Sequence, residues 1–398
     1  MGKPSGCLTF NDYAEYFIKV IIRKFSVTVT RIDVVFDRYL GTQSIKSLTR
    51  ARRNHRKKRP IRKLIDNGNV PLPYVWAQFI ALDENKADLA LFLSRRIMEY
   101  GTAIAERNEL ITAGGFESEC EAKSTRRTDV SELEANHEEA DTRIILHSTD
   151  AISQGYERIL VECRDTDVLV MMIHFLGHLK ADVWMVGGTA KQRKYYSVTS
   201  IANSLPKTVV NNLPGFHALT GCDTTSSFTG HGKKSGWKVF VKYPELIDGV
   251  GRDGPVEKVE EFVCHLYGAS SHMHGIDSAR HAMFVKGKKS IEMLPPTSDA
   301  LKLHLRRANY QTKIWLHANV PAMNIESPLD TGGWKAGRDG IQIIWSSLPS
   351  VPAACVELVA CGCTKKCKMA SCKCNKSGII CTPACACNAD MCCNPFGM

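Results

Sequence analysis

The chain has no run of about twenty apolar residues, the length an α-helix needs to cross a bilayer, so no membrane partner is expected. Its opening, Met1-Gly-Lys-Pro-Ser-Gly-Cys7, lacks the basic-then-apolar order of a secretory signal, and an intracellular protein is the default. Internal repeats are also missing, which sets repeat architectures aside. Acids are outnumbered, 41 Asp and Glu against 52 Lys and Arg, and the net charge of +11 points to an anionic partner, nucleic acid first. The first 350 residues contain no clustered cysteine: Cys7, Cys120, Cys163, Cys222 and Cys264 stand singly and are read as core packing. The other eleven of the 16 cysteines fall between Cys355 and Cys393, and in a reducing compartment such a cluster is read as metal ligands rather than disulfides.

The hydrophobic share of 44% is enough to bury a real core, and 398 residues allow one large domain or a few smaller ones. Residues 10–25 have the periodicity of an amphipathic helix. Arg31-Ile-Asp-Val-Val-Phe-Asp37 reads as a short buried strand ending on an acid. Residues 49–63 hold nine Lys or Arg and no acid, including Arg52, Arg53, Arg56 and Lys57. This run is a solvated basic face, a phosphate-contacting arm or a nuclear-import signal; contact with nucleic acid is preferred. Helical periodicity spans residues 83–100, and a polar, mobile stretch is expected through about residue 129. A helix over 133–154 carries Glu139 and Asp141, a strand over 158–163 leads into Asp165-Thr-Asp167, and an apolar helix and another strand follow. Strands alternating with helices predict a parallel sheet with helices on both faces. Residues 256–267 and 298–318 are predicted helical.

The acids fall where such a fold collects ligands. Asp37 ends one strand and Asp165 and Asp167 follow another, and open α/β sheets bind ligands at the carboxyl ends of their strands. Glu139, Asp141 and Asp223, in Thr220-Gly-Cys-Asp-Thr224, are the further candidates. Crowded carboxylates repel one another unless a cation neutralises them. Mg²⁺ or Mn²⁺ suits oxygen ligands, and two such ions about 3.5–4 Å apart can activate water for phosphodiester cleavage. His174 and His178 are read as structural, and so is His217 in Phe216-His-Ala-Leu, with a hydrogen bond near the acidic site as its alternative.

The order Asp37, Glu139/Asp141, Asp165/Asp167, Asp223 resembles the acidic series of PIN-like, flap-endonuclease-type nucleases. Val34-Val-Phe-Asp37 with Ser44-Ile-Lys and an Arg-rich run resembles that family's second acidic motif, Asp165-Thr-Asp167 its Asp-x-Asp, and Gly221-Cys-Asp223 its Gly-x-Asp. Phe228-Thr-Gly-His-Gly-Lys-Lys-Ser-Gly-Trp237 resembles its helix–two-turn–helix element. That resemblance implies that Gly230, Gly232 and Lys233 hold a phosphate through close backbone approach, with Lys234 adding charge. It covers roughly residues 27–243. One part of the pattern is missing: no strand with the family's first metal-binding aspartate is found before Asp37. The chain is then N-terminally incomplete, or the site has lost a ligand.

The tail follows the spacing C-x-C-x3-C-x4-C-x-C-x6-C-x3-C-x-C-x4-C through Cys361, Cys363, Cys367, Cys372, Cys374, Cys381, Cys385, Cys387 and Cys392. Three separate tetrahedral zinc sites need twelve thiolates. Nine suffice if three of them each bridge two ions, and close C-x-C pairs suit such sharing. The spacing resembles the CXC module of tesmin/TSO1-type proteins, whose Cys-x-Asn ending favours Cys392 over Cys393 as ninth ligand. Many such modules contact DNA.

The expected fold is therefore α/β: a PIN-like (Rossmann-like) three-layer domain with a mainly parallel sheet over 27–243. A helical extension over 244–320, a linker over 321–354 and a small irregular zinc-cluster module over 355–398 follow. The expected function is a Mg²⁺- or Mn²⁺-dependent, structure-selective nuclease with a three-zinc tail, acting on nucleic acid, DNA before RNA, without a small-molecule cofactor. The expected location is nuclear, otherwise cytoplasmic. The rivals are a catalytically inactive DNA-binding or chromatin-associated protein on the same scaffold, and a zinc scaffold for protein partners.

Overall fold

A computed structural model describes residues 3, 5–39, 44–47, 49, 60–101, 104, 107–118, 120–189, 192–269, 275–286, 290–338, 340–348, 360–364, 366–368, 371–376, 379–382, 385–387 and 392–394. Helix α1 (Phe10–Ile22) opens on a reciprocal cap: Thr9 Oγ1 accepts from the Asp12 amide, and the Asp12 carboxylate accepts from the Thr9 amide. Its apolar face packs with α2 (Trp76–Phe79) and α3 (Asp83–Gly101) around Phe10, Phe79, Leu93 and Ile97.

Strand β1 (Arg31–Val35) runs parallel to β2 (Glu109–Ala113), and β2 pairs antiparallel with β3 (Ala122–Ser124). The stretch expected to be polar and mobile thus supplies a strand buried at every residue. Its polar members are neutralised internally: Glu109 accepts from Ser124 Oγ at 2.6 Å and Arg127 Nε at 2.7 Å. Composition cannot reveal such pairing. Helix α4 (Ala140–Ser153) starts at Ala140, where the Asp37 carboxylate accepts the first helical amide at 2.8 Å. The helix expected from residue 133 thus starts seven residues later, and Leu133 instead ends a separate 3₁₀ turn over residues 131–133.

Strand β4 (Arg158–Glu162), helix α5 (Thr166–Phe175) and strand β5 (Asp182–Gly188) form a βαβ unit with β4 and β5 parallel. Strand β6 (Arg193–Ser197) returns antiparallel to β5. The mainly parallel sheet expected from the sequence is not what forms. Two three-stranded sheets each combine one parallel with one antiparallel pair. The tight turn closed by Thr189 and Gln192 permits only an antiparallel return.

Helices α6 (Val198–Ser204), α7 (Lys207–Leu219), α8 (Lys233–Lys242), α9 (Val256–Tyr267), α10 (Ile276–Val285) and α11 (Ser298–Leu316) follow. Phe216 of α7 stacks on Phe240 of α8 with centroids 4.5 Å apart, and Phe262 of α9 meets Phe216 edge-on. The same core runs back through Met171 and Val168 of α5, so the helical layer and the βαβ unit share one interior.

Residues 321–354, expected as a linker, instead hold a hairpin of β7 (Trp334–Gly337) and β8 (Gly340–Ile343). Trp334 is 1% exposed and clusters with Ile341 and Ile45. The hairpin therefore anchors the segment that carries Lys46. In the tail, helix α12 (Lys373–Lys376) is a single turn among packed cysteines, and Phe284 of α10 lies against that cysteine cluster. Among the described residues, no helix is long and apolar enough to cross a membrane.

Candidate functional site

Two helix starts bring the acids together. Asp165 caps α5, its side chain accepting from the Asp167 amide at 3.0 Å, and Glu139 and Asp141 flank the start of α4. Helix N-termini carry partial positive charge and tolerate carboxylates, which gives the chain a local reason to place acids there. Asp141, Asp165 and Asp167 each present a carboxylate oxygen, and the three oxygens lie within 4.8 Å of one another. Asp165 is exposed and Asp167 buried, so the group runs from the surface inward.

A single lysine sits among these acids. Lys46 Nζ lies 2.9 Å from Glu139 Oε2, with side chains 13% and 7% exposed. Burial opposes its charge, yet Glu139, Asp141 and Asp167 hold it protonated, above the usual lysine range. Burial also raises the Glu139 carboxyl, which Lys46 only partly offsets. Asp141 is pushed up to about 8, by burial first, with Lys46 opposing and Glu139, Asp165 and Asp37 adding to the rise. Five carboxylates therefore share one field, and Lys46 is the ammonium group paired directly with one of them.

His217 belongs to this site, although the sequence marks it first as structural. Its Nε2 donates to Asp167 Oδ1 at 2.8 Å, and its ring lies 5.6 Å from Trp315. Burial pushes the Asp167 carboxyl up, but the His217 bond, Lys46 and Lys233 more than offset this and leave it below the usual range. Lys233 turns inward: its ammonium donates to the His217 carbonyl at 2.8 Å and to Thr220 Oγ1 at 3.2 Å, and burial pulls it down to about 8. Lys233 thus ties the start of α8 to the end of α7, whereas Lys234 is exposed. Gly230 adopts a φ of +76°, and a Cβ there would meet the Met293 methyl at 2.4 Å. Gly232 precedes α8 with nothing within 4 Å of where its Cβ would stand.

Not every expected residue joins the group. Asp223 lies in the turn after α7, its backbone carbonyl accepting from Thr49 Oγ1 at 2.6 Å, outside the Asp141–Asp165–Asp167 set. Asp37 contributes through its bond to the start of α4 and through its field at Glu139 and Asp141. Asp33 is tied elsewhere, to Arg31 at 2.7 Å and His147 Nδ1 at 2.7 Å, and Arg31 also reaches Asp150 at 2.7 Å. Arg52, Arg53, Arg56 and Lys57 lie outside the described residues. The sequence assigns neither Lys46 nor His217 its acid partner; a charged side chain expected to lie beside an acidic series is the one signal that could have found Lys46.

The tail brings all nine expected cysteines together. Their sulfurs form four overlapping sets that can hold metal: Cys361/363/367/372, Cys361/372/374/381, Cys361/381/385/387 and Cys367/381/387/392. Sulfurs on a tetrahedral zinc with bonds of about 2.3 Å stand about 3.8 Å apart. The Cys361–Cys367 and Cys361–Cys381 separations are both 3.9 Å, Cys372–Cys381 is 3.8 Å and Cys374–Cys385 is 3.5 Å. Cys393 is exposed and outside every set, while Asn394 folds back, its amide on Cys392 Sγ and its side chain on the Ile379 carbonyl. Cys355 lies outside the described residues.

Comparison of the chain with protein-family models, with curated proteins and with solved structures finds no match in any of the three.

Proposed function

We propose that the chain is a metal-dependent phosphodiester hydrolase of the PIN-like, flap-endonuclease type, whose zinc-cluster tail helps it hold nucleic acid, DNA before RNA. Asp141 is the observation that carries this. Helix capping accounts for Asp165 and Asp37, but not for a third, largely buried carboxyl raised to about 8 beside two others. A divalent cation on Asp141, Asp165 and Asp167 would relieve that repulsion, and the all-oxygen donor set suits Mg²⁺ or Mn²⁺. Such an ion would supply the charge that lowers the pKa of an attacking water and stabilises the phosphate.

The chain's own residues do the rest. His217 orients Asp167, and Lys46 places positive charge beside the phosphate path. Gly232 and Lys234 at the open start of α8 offer backbone amides and a cation to a phosphate further along the strand. That no internal neighbour demands glycine at 232 supports close approach from outside. In the tail, Cys361, Cys367 and Cys381 would each bridge two zincs. The terminal pairs would then be Cys363/Cys372, Cys374/Cys385 and Cys387/Cys392, giving three four-ligand sites on nine thiolates. Two of these quartets are sulfur sets already described; the third joins Cys361 and Cys381 to the close Cys374/Cys385 pair.

A second reading, an inactive DNA-binding scaffold, is favoured by one observation: no strand precedes β1 among the described residues, so none offers a further aspartate to the site. Cleavage of branched and single-stranded DNA with Mg²⁺ or Mn²⁺ separates the two. The hydrolase cuts, and the Asp165→Asn/Asp167→Asn variant binds the same DNA without cutting. Binding without cleavage by the unmodified chain would transfer the case to the scaffold.

A further inference from the structure

Lys46 stands where a second cation would be needed. A two-ion site places its metals about 3.5–4 Å apart and requires carboxylates on both sides. Asp141, Asp165 and Asp167 form one set, and Glu139 and Asp37 are the further acids whose field reaches it. Those two further acids are already engaged. Glu139 Oε2 has the Lys46 ammonium at 2.9 Å, and Asp37 Oδ1 accepts the Ala140 amide at 2.8 Å.

Nor is Lys46 a loose surface side chain. Its neighbour Ile45 is 7% exposed and locked under Trp334 and Ile341 of the hairpin, and the Lys46 amide donates to Ser44 Oγ at 3.1 Å. Withdrawal of the ammonium without replacement would leave a buried glutamate lacking a counter-charge. A second divalent ion would have to displace the ammonium from Glu139 or bind beside it against its repulsion.

From this geometry we infer that the acidic site takes one divalent ion, on Asp141, Asp165 and Asp167, and that Lys46 permanently fills the place of the second on Glu139. The inference rests on the hydrolase reading for its first ion. The ammonium carries one charge where a metal carries two, and it cannot polarise a water as a Lewis acid. Its contribution is therefore electrostatic stabilisation of the phosphate, and activation of the attacking water falls to the single ion.

The test counts Mn²⁺ by electron paramagnetic resonance on the zinc-loaded full chain, with Asp165→Asn/Asp167→Asn as the blank for ions bound elsewhere. One ion is expected in the unmodified chain and two in Lys46→Met, the second broadened by coupling to the first. One ion is expected again in Lys46→Met/Glu139→Gln, where the vacated side no longer has an acid to offer. Two coupled ions in the unmodified chain would overturn the inference while leaving the hydrolase reading intact. A count of one in a folded Lys46→Met would overturn it as well. No ion in the unmodified chain would instead remove the hydrolase reading itself. Should Lys46→Met fail to fold, the count in the unmodified chain decides alone.

Discussion

Lowering the pH from 8 to 6 should weaken Mn²⁺ binding at the acidic site about 50-fold. The magnitude follows from Asp141, whose carboxyl is pushed up to about 8, chiefly by burial, with Lys46 opposing and Glu139 and Asp165 adding to the rise. A metal binds the carboxylate, so well below that value one proton must leave for each ion bound, and apparent affinity falls about fivefold from pH 8 to 7 and about ninefold from pH 7 to 6. Asp167 adds no such dependence in this range, because its carboxyl stays below the usual value. The stability of the metal-free chain must run the other way. The folded pKa of Asp141 is raised above its ordinary 3.8, so the folded state holds the extra proton between about 4 and 8, and stability falls as pH rises through that window. Titrations at pH 6, 7 and 8 give the affinity. Calorimetry in buffers of different ionisation heat gives about 0.9 proton released per ion at pH 7 for a group titrating near 8. An affinity that stays flat from pH 6 to 8, with no proton release, would refute the assignment of Asp141 as ligand.

Three further outcomes follow from the contacts. His217→Ala removes the 2.8 Å bond that orients Asp167 and should weaken Mn²⁺ binding about 10–100-fold, read by the same titration; unchanged affinity would leave His217 a packing residue. Trp334→Ala empties a site that is 1% exposed and should cost about 3–5 kcal/mol in a denaturant melt, whereas a cost under about 1 kcal/mol would mean that the hairpin does not brace the segment of Lys46. In native mass spectrometry, Cys393→Ser should retain three zincs, because its sulfur lies outside every set, while Cys367→Ser should lose at least one. The opposite ranking would move the ninth ligand.

The spacing of the tail made its cluster legible, because nine ligands at short separations leave the chain few ways to arrange itself. The same holds for Asp165-Thr-Asp167: an acid that caps a helix after a strand falls at the sheet edge whatever surrounds it. Pairing was not legible. β2 looked polar because Glu109 and Thr112 lie within it, and only long-range partners, Arg127 and Ser124 for Glu109, make its burial tolerable. The hairpin over 334–343 was hidden for a related reason. Its strands are four residues each, and its one large apolar anchor, Trp334, finds Ile45 almost three hundred residues earlier in the chain. Lys46, seen only as part of Ser44-Ile-Lys, and His217, read first as structural, were not assigned their partners because a side chain that pairs with an acid across the fold has no local pattern to announce it.

The charge of the tail limits what it can do for nucleic-acid binding. Nine thiolates around three Zn²⁺ would carry three net negative charges, whereas the five lysines and one aspartate of residues 361–392 carry four net positive. Loaded, the module would thus be nearly neutral, with Lys366, Lys368, Lys373 and Lys376 exposed around sulfurs that are buried or half-buried. A nearly neutral unit does not attract a polyanion over long distances. The module's five lysines, each meeting one phosphate, would set a salt slope of about −4.5 at most, from about −0.9 per contact on duplex DNA. A steeper slope for the full chain must come from elsewhere, with the basic run of residues 49–63 as the source the sequence offers. The tail's part would then be one of placement: Phe284 of α10 lies against the sulfur cluster, so a metal that folds the module would also fix its lysines relative to the helical layer.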